Sequence, residues 1–447
     1  MTDWPPSPHR KAGLLSASGI RSKPVKYAKP VLVSALLLSG LLTGCDQPAL
    51  QQDSPAEQAA GTANEQDSTL DSSAFAAHLG LSAYTEVSMA AQTAQELDSR
   101  LASFLYHPNP MSLGEVRQAW RNAYSAYLQT LIYAKLPIND PPDWHKKGID
   151  YQHTLSLLDS WPIEGGYIDH VPGYPFSGIV NDLTLELNED SLLAQHGFSD
   201  PSYASLGYHA FEFMLWGAEG QRSPRDFFPQ ENTAPVVVAS EGGSNSEAET
   251  GDVVHHEDAA SSADEEPADI DVQNHNRRRQ YVQLLSEQLQ KHLHRLQRRW
   301  EPSNGYYANL LQRSEPDQVL KAAFSATQKL LSDELLAKRL SGTSSEFSQT
   351  TWADTGAIVA GIRNLYFPLS ETEAGTGLPA LLGQRNEALS LEWQQQLQLL
   401  DDSVENWKQQ GVADAEARQQ CRQRIIELMS LLQRTASALK VPLASAN

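Results

Sequence analysis

Most of this 447-residue chain places apolar residues at intervals of three and four, the spacing that puts side chains on one face of an α-helix. In the segment 112–135 the regularly spaced apolar residues are Val116, Ala119, Trp120, Ala123, Tyr127 and Leu131. The same pattern covers residues 75–108, 277–300, 317–340, 350–366, 386–409 and 413–439. Strand-like alternation is confined to a short stretch around Val236. The sequence therefore predicts an all-α fold built from helical bundles.

Two polar tracts interrupt the helical pattern. Residues 45–74 are rich in Gln, Ser, Ala and acids, and residues 231–276 carry twelve acids; neither tract contains Lys or Arg. Such compositions cannot bury enough apolar surface to fold. The predicted organisation is a signal peptide (1–44), a flexible tether (45–74), an N-terminal helical bundle (75–230), an acidic low-complexity insertion (231–276) and a C-terminal helical bundle (277–447).

The first 44 residues have the order of a bacterial signal peptide, with several Lys and Arg followed by an apolar run at 31–44. That run is shorter than the roughly 20 residues that a membrane-spanning helix requires. It ends in the sequence LTGC, which resembles a bacterial lipobox. The resemblance implies cleavage before Cys45 and lipidation of its thiol, so the expected location is the cell envelope, anchored to a membrane and facing the periplasm. Asp46 resembles the signal that retains lipoproteins in the inner membrane of some bacteria, and the outer membrane stays open as the alternative.

Charge and cysteine content exclude several classes of function. The chain has 34 Lys and Arg against 55 Asp and Glu, a formal net charge of −21. Because no basic surplus is present to neutralise phosphates, we expect no nucleic-acid partner. Two cysteines, Cys45 and Cys421, are too few for a cysteine zinc site or an iron–sulfur cluster. Any bound metal would therefore need His, Asp or Glu ligands.

The segment 204–218, ASLGYHAFEFMLWGA, is apolar on every face and predicts a central, buried helix. It contains His209 and Glu212, whose spacing of three residues places them on one side of the helix. An isolated buried carboxylate is costly, so Glu212 must be paired, protonated or metal-bound. The two side chains either supply two metal ligands, as the reversed Glu-x-x-His pair does in di-iron bundles, or satisfy each other in the core. The spacing alone leaves both alternatives open.

The zinc-peptidase motifs HExxH and HxxEH also place two histidines and a glutamate on one helix. This segment fits neither motif. Ala210 stands where HExxH has its general base, and Phe213 stands where each motif has its second histidine. A zinc hydrolase at this position would need its base and its remaining ligands from elsewhere in the chain.

Three stretches together resemble the imelysin family, which includes insulin-cleaving membrane proteases and iron-regulated periplasmic proteins. They are GYHAFEFMLWG (207–217), similar to the family's GxHxxE signature, SWPIEGGYIDHVPGYPFSGIVND (160–182) and FSQTTWADTGAIVAGIRNLYF (347–367). The resemblance implies two packed helical bundles with a site in the groove between them. It assigns Gly207, His209 and Glu212 to the motif. The tract AYLQTLIYAKL departs from the pattern, because it has no acid and places Leu131 where relatives carry one.

Further candidate residues lie outside the motif. Glu164, Asp169, His170 and Asp182 precede the motif helix and could bring oxygen or nitrogen ligands to His209. Helix capping or solvation in the loop is the alternative for each of them. In the second half, Arg363 is a candidate groove residue for an anion, and pairing with a structural acid is its alternative.

Three functions follow from these patterns. The first is a lipid-anchored envelope protein that binds a metal cation through His209 and Glu212 for uptake or homeostasis, with iron favoured over zinc and other iron-uptake proteins of the envelope as partners. The second is an imelysin-type metallopeptidase in which Glu212 would be catalytic. The third is a module that binds a peptide or a protein partner in the groove between the bundles.

Overall fold

The computed structural model describes residues 70–230, 274–342, 344–368 and 375–443. Within these ranges the regular structure is helical, apart from one isolated bridge between Val171 and Tyr174. The all-α fold is thus confirmed. The signal peptide, Cys45 and nearly all of the tether and the acidic insertion lie outside the described residues. Among the helices that are described, none has the length and apolarity needed to cross a membrane.

The helices follow one another with short connections. In chain order they are α1 (Ser73–Tyr106), α2 (Pro110–Gln129), α3 (Leu131–Ala134), α4 (Pro142–Lys146), α5 (Tyr151–Leu158), α6 (Gly165–Ile168), α7 (Glu189–Gln195), α8 (Tyr208–Trp216), a 3₁₀ turn (Pro224–Phe227), α9 (His275–Trp300), α10 (Tyr306–Gln312), α11 (Pro316–Lys329), a π-helical segment (Leu330–Arg339), α12 (Thr351–Tyr366), α13 (Leu378–Gly383), α14 (Ala388–Gln410) and α15 (Ala415–Ala438).

The long helix α1 packs against both α2 and α9. Its buried face contains alanines at several positions, and small side chains of this kind let neighbouring helices approach closely. Asn109 begins α2 with a capping box, because its side chain accepts the backbone N–H groups of Met111 and Ser112. The helix that follows the insertion, α9, therefore packs with helices that precede the insertion.

The helices α14 and α15 form an antiparallel pair, and α12 packs against both α14 and α2. The crossing of α12 and α2 depends on Gly361, where an added Cβ would lie 2.3 Å from the backbone oxygen of Gln129. A side chain at this position would push the two helices apart. Helix α12 thus connects the helices of the second half to those of the first.

Two amides close the base of the acidic insertion. The backbone N–H of Gln230 donates to the side chain of Asn276, and the Asn276 amide donates in return to the Gln230 carbonyl. The chain therefore leaves the helical body and returns to it at neighbouring points.

Candidate functional site

The motif helix α8 is buried along its entire length, as the sequence predicts for this segment. It is shorter than the apolar stretch, because Gly207 has φ of +99° and marks the start of the helix. A Cβ on Gly207 would lie 2.7 Å from the Leu158 carbonyl oxygen at the end of α5. Glycine at this position thus lets α8 begin directly against α5, next to Asp159.

His209 lies between two carboxylates. Its Nδ1 is 2.9 Å from Glu212 Oε2, and its Nε2 is 3.1 Å from Asp159 Oδ1 and 2.9 Å from the Tyr124 hydroxyl. The side chains of His209 and Glu212 are 1% and 0% exposed. Burial alone would lower the pKa of His209, but the hydrogen bonds to Asp159 and Glu212 raise it to about 9. At neutral pH the imidazolium therefore donates to a carboxylate from each ring nitrogen.

Arg339 holds the far side of this network and is fully buried. Its guanidinium donates to Asp159 Oδ2 at 2.8 Å, to the Tyr124 hydroxyl at 2.7 Å and to Glu334 Oε1 at 2.9 Å. Burial acts to raise the pKa of Asp159, yet Arg339 and His209 outweigh it and hold that pKa well below its usual value. Arg339 ends the π-helical segment, an irregularity often found at functional positions.

The second oxygen of Glu212 reaches the other half of the chain. Glu212 Oε1 accepts the backbone N–H of Ser348 at 2.8 Å. In the same loop, the hydroxyls of Ser344 and Ser345 donate to Asp354 of α12. Burial raises the pKa of Asp354 to about 6, although Arg339 opposes the shift. This polar network therefore joins α2, α5, α8, the π-helical segment and α12.

The network does not fit a resident metal ion. Both ring nitrogens of His209 and both oxygens of Glu212 already have hydrogen-bond partners. A histidine ligand needs a free lone pair, whereas His209 carries two N–H groups in this arrangement. Within the described ranges, no three His, Cys, Asp or Glu side chains are arranged so that they could hold a metal. What the network does instead is fix the relative positions of its helices.

An open cavity of about 520 Å³ lies beside α8, and we name it the α8 pocket. Its lining includes Glu164, Glu346, Tyr174, Phe213 and Phe347, and none of its lining residues is Lys, Arg or His. Phe213 belongs to the motif helix, and its ring meets that of Phe347 edge-on at 5.0 Å. Burial raises the pKa of Glu346, and the nearby carboxylate of Glu212 adds to the shift. The lining therefore combines two carboxylates with apolar side chains and includes no basic side chain.

The structure places the other candidates of the preceding loop in different surroundings. Asp169 is fully buried between Arg222 and Arg278, whose nitrogens lie 3.0 and 2.6 Å from its Oδ2. Burial opposes ionisation of Asp169, but the two arginines and His170 keep its pKa well below the usual value. His170 Nδ1 is 3.2 Å from Asp169 Oδ1. Asp182 is exposed and accepts hydrogen bonds from Thr184 within its own turn.

Of the loop candidates, Glu164 lines the α8 pocket and thus lies near the motif helix. Arg363 forms an ion pair with Asp401 of α14 at a partly exposed position. The predicted lipidation site, Cys45, lies outside the described residues.

Sequence reasoning missed Tyr124, Asp159, Arg339 and Glu346 as members of this region. Asp159 immediately precedes the stretch 160–182, which already resembled the family, so its position carried a signal. Nothing in the sequence marked Arg339 as a site residue, because it lies in an ordinary amphipathic segment far from the motif.

Comparison with known proteins identifies the family. The sequence model described as Imelysin matches residues 81–435, most of the chain. This chain belongs to the imelysin family. Among solved structures, an iron-regulated protein A precursor from Parabacteroides distasonis ATCC 8503 matches with a TM-score of 0.53 and 14% identity, over 84% of this chain and 97% of that one. No curated protein matches the chain.

An imelysin-like protein from Psychrobacter arcticum 273-4 matches with a TM-score of 0.50 and 12% identity, over 84% of this chain and 99% of that one. At such identities the two solved structures show a shared fold. The imelysin architecture expected from the three sequence stretches is confirmed by both comparisons.

Proposed function

We propose that this imelysin-family protein is a non-catalytic, lipid-anchored protein of the bacterial envelope. It faces the periplasm and captures a cation for uptake or homeostasis, with iron favoured. The observation that carries the proposal is the α8 pocket, which has two carboxylates and no basic side chain among its lining residues. The cation is cargo that enters from solvent. Because the described residues contain no group of three metal-ligating side chains, the two carboxylates would hold it with water completing its coordination shell.

The chemistry of the α8 pocket suits a cation. Glu164 is exposed and Glu346 is half-buried, so both carboxylates can be reached from solvent. Carboxylate oxygens are the preferred ligands of hard cations, and a cleft lined by one sign of charge concentrates the opposite ion. Burial raises the pKa of Glu346, repulsion from Glu212 adds to the shift and His209 opposes it, and a bound cation would stabilise the ionised carboxylate. Iron is favoured because one structural relative is described as iron-regulated.

The geometry of the motif argues against peptidase activity. A zinc peptidase needs three protein ligands, an open coordination position and a base that reaches the attacking water. Glu212 is fully buried, and its two oxygens are held by His209 and by Ser348. We therefore expect no cleavage of protein substrates by the purified protein with Zn(II) or Fe(II). Metal-dependent cleavage that disappears in Glu212→Gln would establish the peptidase alternative instead.

The test of cation capture is a titration of the metal-free protein with Fe(II), under anaerobic conditions, and with Fe(III) and Zn(II). We expect stoichiometric binding of iron by the wild type and at least tenfold weaker binding by Glu346→Gln, with a smaller loss in Glu164→Gln. Glu416→Gln is the matched control, because Glu416 is an exposed carboxylate on α15. The proposal is wrong if the wild type binds no cation or if both pocket variants bind as tightly as the control.

Anchoring is tested separately by cell fractionation. The proposal expects the wild-type protein in the membrane fraction and Cys45→Ala in the soluble fraction. A Cys45→Ala protein that remains in the membrane fraction would contradict lipidation at this residue.

A further inference from the structure

We infer that Glu212 and His209 are positioning residues that hold the wall of the α8 pocket, and that they do not ligate the captured cation. The inference rests on the proposed function. Glu212 uses one carboxylate oxygen for His209 and the other for the backbone N–H of Ser348. Ser348 directly follows Glu346 and Phe347, both of which line the α8 pocket.

The loop that carries this wall needs external contacts to keep its shape. Ser345 and Gln349, on either side of the wall residues, have φ of +47° and +58°. Residues other than glycine seldom adopt such left-handed conformations, so the loop is not in its intrinsically preferred form. Hydrogen bonds to other elements hold it: the hydroxyls of Ser344 and Ser345 donate to Asp354, and the Ser348 N–H donates to Glu212. Ser345 lies one residue before Glu346 and Ser348 lies two residues after it, so the Asp354 and Glu212 contacts hold the loop on either side of Glu346.

Glu212 can serve as an anchor because it is itself held in place. His209 fixes its Oε2, and the opposite ring nitrogen of His209 is fixed by Asp159, which Arg339 holds in turn. These side chains are at most 6% exposed, so the series of contacts offers no free ligand position to a cation from solvent. The motif therefore acts on cation binding through the backbone of Ser348. This role accounts for a buried His/Glu pair that does not fit a metal.

The test compares Glu212→Gln, Glu212→Ala and Glu346→Gln in the cation titration, using Fe(II). Gln at position 212 keeps an oxygen that accepts the Ser348 N–H, and its amide can donate to a neutral His209. A positioning role therefore predicts Fe(II) affinity within about threefold of wild type for Glu212→Gln, and at least tenfold weaker binding for Glu212→Ala and Glu346→Gln. A ligand role predicts a large loss in both Glu212 variants and little change in Glu346→Gln, which would overturn the inference.

A second measurement needs no cation. Amide hydrogen exchange of the peptide covering residues 344–350 should be as slow in Glu212→Gln as in wild type and at least tenfold faster in Glu212→Ala. Peptides of α14 and α15 serve as the folding control in the same samples. If Glu212→Ala does not fold, Glu212→Gln decides alone: Fe(II) binding lost while the loop stays protected overturns the positioning role. If the wild type binds no cation, the proposed function fails, while exchange still tests the anchor.

Discussion

Replacement of Arg339 by Met should be among the most destabilising single changes at the site. The variant removes the guanidinium that donates to Asp159 at 2.8 Å and to Glu334 at 2.9 Å. Glu334 still has Lys135 at 3.4 Å and Lys338 at 3.6 Å, so the loss of its ion pair with Arg339 adds little to the destabilisation. Asp159 stays buried and keeps His209 and the Tyr124 hydroxyl as partners of its Oδ1, whereas its Oδ2 loses Arg339. Breaking a buried ion pair in this way costs about 3–5 kcal/mol, and the retained partners of Glu334 favour the lower end, about 3 kcal/mol.

The assay is urea unfolding of the purified protein, with Arg363→Met as the control. Arg363 also pairs with an acid, but both partners are about one-third exposed, so its loss should cost about 1 kcal/mol or less. The difference in unfolding free energy between wild type and Arg339→Met should be widest at neutral pH. This difference should narrow on acidification. The depressed pKa of Asp159 stabilises the folded wild type above the pKa that Asp159 has in the unfolded chain, this stabilisation is lost as the pH falls below that pKa, and the variant lacks the contribution of Arg339 to it. Equal costs for the two arginines, or a gap that widens towards low pH, would refute the reasoning.

Three further outcomes follow from the structure. The pKa of His209 is raised to about 9, so protonated His209 stabilises the fold fully below its unfolded pKa, and this stabilisation is lost as the pH rises through 9. In urea unfolding between pH 6 and 10, the unfolding free energy of the wild type should fall by about 3 kcal/mol more than that of His209→Gln. Equal pH profiles of the two proteins would contradict this. Gly207→Ala should cost about 2 kcal/mol or more, whereas Gly114→Ala, where an added Cβ meets nothing within 4 Å, should be neutral or stabilising in thermal unfolding. Deleting residues 231–273 should leave the helical circular dichroism spectrum unchanged, because the hydrogen bonds between Gln230 and Asn276 already hold the two ends of the insertion together. Unfolding of the deleted form would show that the insertion supports the fold.

The helices could be predicted because their signal is local. Apolar spacing located α1, α9, α12, α14 and α15 to within a few residues of their observed ends. The same reasoning overestimated the length of α8, since an apolar segment does not reveal where the backbone turns. The start of α8 is set by the positive φ of Gly207 and by its close contact with the end of α5, and this contact exists only in the folded chain.

The site could be predicted only in part, since its partners come from distant parts of the chain. His209 and Glu212 were recognisable from spacing and from the resemblance to the imelysin family. Their partners, Asp159, Arg339 and Ser348, are brought together by tertiary contacts across as many as 180 positions of sequence. Spacing cannot report such contacts, so the sequence left metal ligation and mutual pairing as equal alternatives for the motif.

The choice between those alternatives depends on which groups accompany the histidine. A buried His next to one carboxylate can still offer a lone pair to a metal. His209 instead lies between two carboxylates, which together stabilise its protonated form despite burial. Arg339 then supplies the second positive charge that Asp159 requires. Because the protein itself supplies both cations, the network has no need of a metal, and the proposed function therefore assigns cation capture to Glu164 and Glu346, which line the α8 pocket.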